Sequence, residues 1–442
     1  MTATPPVTRA RRAARGLSRR LVRPPLRLRR RLAPPARIAI LLAIVGPGLV
    51  SGFADNDAGG ITTYSVVGAQ FGYALLWVVL ASQIALMVTQ EAGVRLGLAT
   101  GQGLSGLVRQ RFGIRWAAFA VATMLAANLG DTLAEFAGIT AALSLFGVPP
   151  WISAVVAALA MVLLLARGSF SRVQLIFVAA GVGVSLAYLI SAVLARPDWG
   201  QAAVSLVVPH GTLSAVYLLA VVGTIGTTIT PWGQAFIQSY AVDKGLRRED
   251  LWGSRLDVTL GALLTNLVAA LIVIACAATL WSHGDRSIPD AAAAARALGP
   301  LAGRAAEVLF GVGLLAASLL GLGTVPLTSA YAACEAFGWE SGLSWRPREA
   351  PAFYAVLAIF VAVPALIVLI PGLPLIAVMF LSQVFDGLLL PIILVFVMLL
   401  ARDRGLMGDL RSGSFLTGLG WLVTVGIGVL SVALVVSPLL GL

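Results

Sequence analysis

With 59% hydrophobic and only 11% charged residues over 442 positions, and a mean hydropathy of +0.94, this chain lies far outside the composition of water-soluble proteins. It reads as an all-α polytopic membrane protein. Two cysteines, Cys276 and Cys334, and two histidines, His210 and His283, are too few for a disulfide framework, a Cys-rich metal centre or an imidazole cage.

The net charge of +12 sits at the amino terminus, where positions 1–37 hold twelve arginines and no acid; the other 19 basic residues balance the 19 acidic ones. Residues 1–36 are expected to form a basic, disordered cytoplasmic tail that sets topology and touches anionic lipid head groups. The tail lacks interleaved aromatics and any recognisable module, so nucleic acid is not an expected partner. The apolar run after Arg37 continues with no Ala-x-Ala-like cleavage pattern, so no secretory signal is expected.

A helix crosses the hydrocarbon core with roughly 20 apolar residues, and hydrogen-bonding demands leave helices as the spanning element here. The apolar stretches predict about eleven transmembrane helices within a domain of residues 37–442: 37–67, 72–94, 115–146, 151–166, 172–195, 213–242, 255–281, 304–336, 352–370, 372–400 and 416–440. The connections on the tail's side carry Arg109, Arg111, Arg167, Arg172, Lys244, Arg247, Arg346, Arg348, Arg402 and Arg404, whereas 147–150 and 371–374 carry no basic residue. This asymmetry predicts a cytoplasmic amino terminus in a plasma (inner) membrane, with Leu442 outside. The loops are too short for a soluble domain.

Ionisable groups inside such spans cost a few kcal/mol each on insertion scales, so each is a candidate functional group. They are Asp55 and Asp57 in the first span, Asp131 and Glu135 in the third, Glu335 in the eighth and Asp386 in the tenth, joined by the neutral Asn128 and Gln383. No lysine or arginine sits at that depth, so the counter-charge is a proton or a bound cation. Asp131 and Glu135, four apart, share a helical face and suit a proton path or the lining of a vestibule. Glu335 reads as an interhelical bonding group, and Glu91 with Arg95 as a structural i, i+4 pair.

Two spans are interrupted. Asp57 is followed by Ala58, Gly59 and Gly60, and the sixth span contains "GTIGTTITPWGQAF" with Gly226, Pro231 and Gly233. Glycine lets the backbone leave helical geometry, proline removes a backbone bond, and broken helices at membrane depth are tolerated where they line a cavity. Two breaks five spans apart point to an inverted-repeat transporter with a midplane site; two independent kinks in an ordinary bundle is the alternative.

"GPGLVSGFADNDAGGITTYSVVGAQFGYALLW" resembles the first helix of the Nramp family of divalent-metal transporters, whose Asp-Pro-Gly-Asn signature is followed, eleven residues after the Asp, by Gly-Ala-Gln-Phe-Gly-Tyr. Asp57 and "GAQFGY" from Gly68 keep that spacing, and weaker similarity covers everything after the tail. The resemblance implies a LeuT-like (APC-type) 5+5 inverted repeat with helices 1 and 6 broken, the first repeat about 37–195, the second about 213–400, and an extra helix about 416–440.

Departures from the family bear on the cargo. The family's Pro falls on Ala58 and its Asn on Gly60; its Met-Pro-His in the sixth helix falls on Thr230, Pro231 and Trp232; its tenth-helix glutamine is matched by Gln383. The family's Asp-Leu-Ala-Glu is met by Thr132 to Glu135, with the aspartate displaced to Asp131. Together with "TPWGQAFIQSY" and "LTSAYAACEAFG", these changes are similar to the Nramp-related magnesium branch. An all-oxygen site without a thioether suits hard ions, and magnesium keeps several of its waters.

The implied metal site is Asp57, Gly60, Thr227, Thr230 and Gln383, with Asp131, Glu135 and Asp386 as proton or vestibule residues. The expected function is secondary import of Mg2+, with Mn2+, by alternating access, without strict proton coupling because no imidazole remains in the sixth helix. A proton-coupled Mn2+/Fe2+ symporter and an amino-acid/cation transporter are the alternatives. No nucleophile-and-base arrangement is present, so neither an enzyme nor a cofactor is expected.

Overall fold

The computed structural model describes residues 56–166, 183, 186–342 and 346–440. The tail 1–36, Asp55, the first part of the span 37–67 and most of the span 172–195 lie outside the described residues. What is described falls within one compact unit, Pro47–Leu442.

In chain order the principal helices are α1 (Ala58–Phe71), α2 (Leu76–Thr100), α3 (Leu104–Phe112), α4 (Ile114–Ser144), α5 (Pro150–Ala166), α6 (Trp199–Val207), α7 (Ala215–Thr228), α8 (Pro231–Asp243), α9 (Leu251–Thr279), α10 (Ala306–Phe337), α11 (Pro351–Val368), α12 (Leu375–Arg402) and α13 (Ser414–Val436). Eight helical segments among the described residues are long and apolar enough to cross a membrane, with α7 and α8 counted as one. Two short helices were not foreseen: α3, which links α2 to α4, and α6, which opens on the Asp198 side chain accepting from the Gln201 amide at 2.9 Å. Both are nine residues long, below the span length that the apolar pattern reveals.

Burial separates centre from rim. The most apolar stretch of α7 and α8 is 78% buried, whereas those of α11 and α13 are 28% buried, so the interrupted pair is central and the other two present their sides to lipid. Lipid tails are as apolar as leucine, so helices associate here through close packing of small residues. Gly68 of α1 meets Val273 and Cys276 of α9; Gly93 and Gly97 of α2 meet Ile237 and the Gln238 carbonyl of α8. The loop 282–303, expected as a plain connection, instead folds into short helical turns whose Ala291, Ala293, Ala294, Ala295 and Ala297 are buried. Ser191 donates to the Ala297 carbonyl at 2.7 Å and pins it.

One end of the bundle is fastened by charge. Glu91 bonds Arg95 at 2.8 Å on its own helix and also Arg255 of α9 at 2.6 Å, and Arg95 donates to the Leu410 carbonyl at 3.0 Å. Arg111 of α3 pairs with Asp403 beyond α12 at 2.6 Å. Glu335 of α10 lies at the amino end of α3: its carboxylate fills the space where a Cβ on Gly103 would stand and accepts from the Gly106 amide and the Ser239 hydroxyl. Gln238 donates to the Gln102 carbonyl at 2.8 Å, so α3 is held to both α8 and α10. Cys276 and Cys334 are free and buried.

Candidate functional site

The site starts where α1 starts. A helix leaves its first amides without intrahelical partners, and Asp57 caps them: its Oδ1 accepts from the Gly60 amide at 2.8 Å. Gly60 thus contributes a donor that fixes the carboxylate, and Asp57, only 2% exposed, is held at the helix end. The neighbouring Gly59 faces α12 so closely that a Cβ there would fall on the Gln383 amide.

The second break runs through Ile229 and Thr230, which separate α7 from α8. Pro231 has no N–H, so the Thr227 carbonyl lacks its i+4 donor, and the buried Thr227 hydroxyl has no partner either. Thr227 therefore offers an unpartnered hydroxyl and a carbonyl that has lost its helical donor. The Thr230 hydroxyl is engaged in part, accepting from the Gly233 amide at 3.1 Å to cap α8. The first helix is tied to the interruption by Tyr64 of α1 and Thr228 of α7, whose hydroxyls lie 2.9 Å apart.

Gln383 of α12 bridges these parts to the acids of α4. Its Nε2 donates to Asp131 Oδ1 at 3.0 Å and to Ser382 Oγ at 3.1 Å, while its Oε1 is buried without a partner. Gly226 lets α7 approach until a Cβ would strike the Gln383 carbonyl. Glu135, one turn from Asp131, lies against Asp57 and the Ala58 amide, in space that Gly321 of α10 leaves open. Asp386 neighbours Asp131. Asp131, Glu135 and Asp386 are all 0% exposed. None of the ion pairs among the described residues includes Asp57, Asp131, Glu135 or Asp386.

The structure thus gathers Asp57, Gln383, Asp131, Glu135 and Asp386 around one seam, with Thr227 on the adjacent helix. Among the described residues, no group of three or more His, Cys, Asp or Glu is placed to hold a metal ion. The donor set is one or two carboxylates with hydroxyl, amide and carbonyl oxygens, which suits a hard ion that keeps part of its water. Two features were missed from sequence. Gly59, more than Gly60, admits the glutamine, a role only the α1–α12 contact reveals. Trp232 is fully buried with Leu320, Val325 and partly buried Phe236, so an apolar plug follows directly on the second break.

A 270 Å³ cavity lies at the end of the bundle opposite α3, lined by Thr140 of α4, Trp151 of α5, Leu375 of α12 and the turn Leu369 to Leu373. At 1.5 Å per residue, Leu375 stands about 12 Å along α12 from Gln383, so this opening heads the same α4–α12 seam.

Residues 48–437 match the family described as Natural resistance-associated macrophage protein-like. The divalent metal cation transporter MntH of Ralstonia nicotianae is 32% identical over 418 residues, covering 91% of this chain and 92% of its own. MntH of Deinococcus radiodurans is 30% identical over 407 residues, with 89% of each chain covered. Among solved structures, the Eremococcus coleocola manganese transporter superposes with a TM-score of 0.74 at 22% identity, covering 91% of this chain and 88% of its own, a likeness of fold. The chain belongs to the Natural resistance-associated macrophage protein-like family.

Proposed function

We propose that this chain is a secondary transporter that moves divalent metal cations across the membrane by alternating access around Asp57, in symport with protons. The observation that carries the reading is the unpaired acid cluster. Four carboxyl groups, Asp57, Asp131, Glu135 and Asp386, are buried together without a basic partner among the described residues. Uncompensated buried charge is costly, so the acids that the cation does not neutralise must hold protons, which travel with it. Asp57 with Thr227, Thr230 and Gln383 would hold the ion, and Glu135, which lies against Asp57, would carry the proton. Mn2+ heads the cargo: two relatives bear the name divalent metal cation transporter and the structural neighbour is a manganese transporter. Mg2+ is a second substrate on the strength of the oxygen donors.

A second reading, uncoupled Mg2+ carriage driven by the membrane potential, is favoured by one specific observation. Thr230 and the plug residue Trp232 stand where the family has Met and His, so the sixth helix supplies neither a soft donor nor an imidazole.

Both readings are tested with the full chain in liposomes containing a pH-sensitive dye. Inward Mn2+ gradients should carry protons inward, and Asp57→Ala should abolish the signal. Uptake of Mn2+ or Mg2+ that follows the membrane potential yet ignores the pH gradient would select the uncoupled reading. Normal uptake by Asp57→Ala would remove the site altogether.

A further inference from the structure

Asp386 is not needed to complete the Asp57 site, yet it is 0% exposed and neither of its carboxylate oxygens has a hydrogen-bond partner. Across the seam, Asp131 Oδ2 is equally buried and unpartnered. The helices are too close to turn these groups away from each other: the Cβ position of Gly130 on α4 lies 3.6 Å from Ser382 and 4.0 Å from Phe385 of α12. The two carboxyl groups end up side by side.

A neutral group faces the same place. Gln383 precedes Asp386 by one turn, about 4.5 Å along the axis. Its Nε2 bonds Asp131, while its Oε1, fully buried, has no donor. Two carboxylates, an amide oxygen and no base make the donor set of a hard divalent cation that keeps some water. The direction is defined as well. α12 runs toward the end of the bundle that carries α3, as the Arg111–Asp403 pair shows, so Asp386 lies beyond Gln383 on the way to that end.

We infer that the α4–α12 seam contains a second cation station, formed by Asp131 and Asp386 and sharing the Gln383 amide with the Asp57 site. The inference rests on the proposed reading of Asp57 as a divalent-cation site. The stations stand in series: the ion passes from Asp57 across Gln383 to Asp386, and Glu135 is left to hold the proton. A proton shared by Asp131 and Asp386 is the competing occupant.

Mn2+ binding to the purified full chain in nanodiscs, followed by electron paramagnetic resonance, separates these outcomes. The expected result is two bound Mn2+ per chain at saturation, with the line broadening of close spin neighbours. Asp386→Asn should lose one ion and the broadening, Asp386→Glu should restore both, and Asp57→Ala should keep the Asp386 ion. Each variant is checked for an unchanged unfolding temperature. A single Mn2+ in the unaltered chain, unaffected by Asp386→Asn, overturns the second station and leaves the Asp57 site standing. Two ions that persist when Asp57→Ala and Asp386→Asn are combined mark surface binding and also overturn it. No Mn2+ binding at all overturns both the station and the reading beneath it.

Discussion

Glu91 and Asp57 are both acids in a strongly apolar chain, and their surroundings could hardly differ more. Glu91 touches two guanidinium groups, one from its own helix and one from α9, near the end of the bundle. Asp57 touches a backbone amide and lies among other acids, with no ion pair among the described residues. An acid supplied with its own counter-charge fastens helices permanently. One left without it acquires a partner only when something arrives, which is the property a carrier requires. The comparison separates Glu91, which fastens helices, from the acid proposed to take up the cation, without reference to any relative.

It breaks most visibly at Asp57. Asp57→Ala is expected to lower Mn2+ uptake by more than about tenfold, a cost of at least about 1.4 kcal/mol, while the unfolding temperature stays within a few degrees because repulsion lost offsets the cap lost. Collapse of the fold in this variant would place Asp57 with Glu91 as a structural acid. Glu91→Gln should do the reverse. Leaving Arg95 and Arg255 unpaired should cost about 1–3 kcal/mol of stability, discounted from the fully buried case because Arg255 is partly exposed. Mn2+ affinity should hold, and its loss in a folded Glu91→Gln protein would end the distinction.

Smaller effects sharpen the oxygen-donor argument. Thr230→Met introduces a thioether and should raise Cd2+ affinity about fivefold relative to Mn2+, roughly 1 kcal/mol, with a similar amount of stability lost with the α8 cap. Unchanged cadmium binding would detach selectivity from this position. Thr227→Val should weaken Mn2+ binding about two- to fivefold and leave stability level or slightly higher, since it removes a buried hydroxyl without a partner. A marked loss of stability would mean the hydroxyl serves the fold instead.

The long spans were legible because apolar length is a local signal: the expected 115–146 corresponds to Ile114–Ser144, and 372–400 to Leu375–Arg402. The interruption after Thr228 was legible for the same reason, proline and glycine acting on their own backbone. Asp57 and Gln383 stood out as polar groups in apolar runs. What could not be read was who meets whom. Gln383 and Asp131 are 252 positions apart, and their bond depends on how α4 packs on α12. The α3 helix and the seat of Glu335 against it were hidden because nine residues of mixed polarity carry no periodic signature. The buried alanines of 291–297 were taken for a loop since their burial comes from the helices around them.

The contact between Gly226 of α7 and Gly387 of α12 has a mechanical corollary. Their backbones touch so closely that a Cβ on Gly226 would meet the Gly387 amide, and one on Gly387 the Val222 carbonyl. A joint with no slack cannot slide by one residue without driving a side chain into main chain, so α7 and α12 must swing as a single lever. Any flexing needed to expose first one face and then the other falls to the two residues after Thr228, where the helix is interrupted, Ile229 bonding back to Ile225 and Thr230 forward to Gln234.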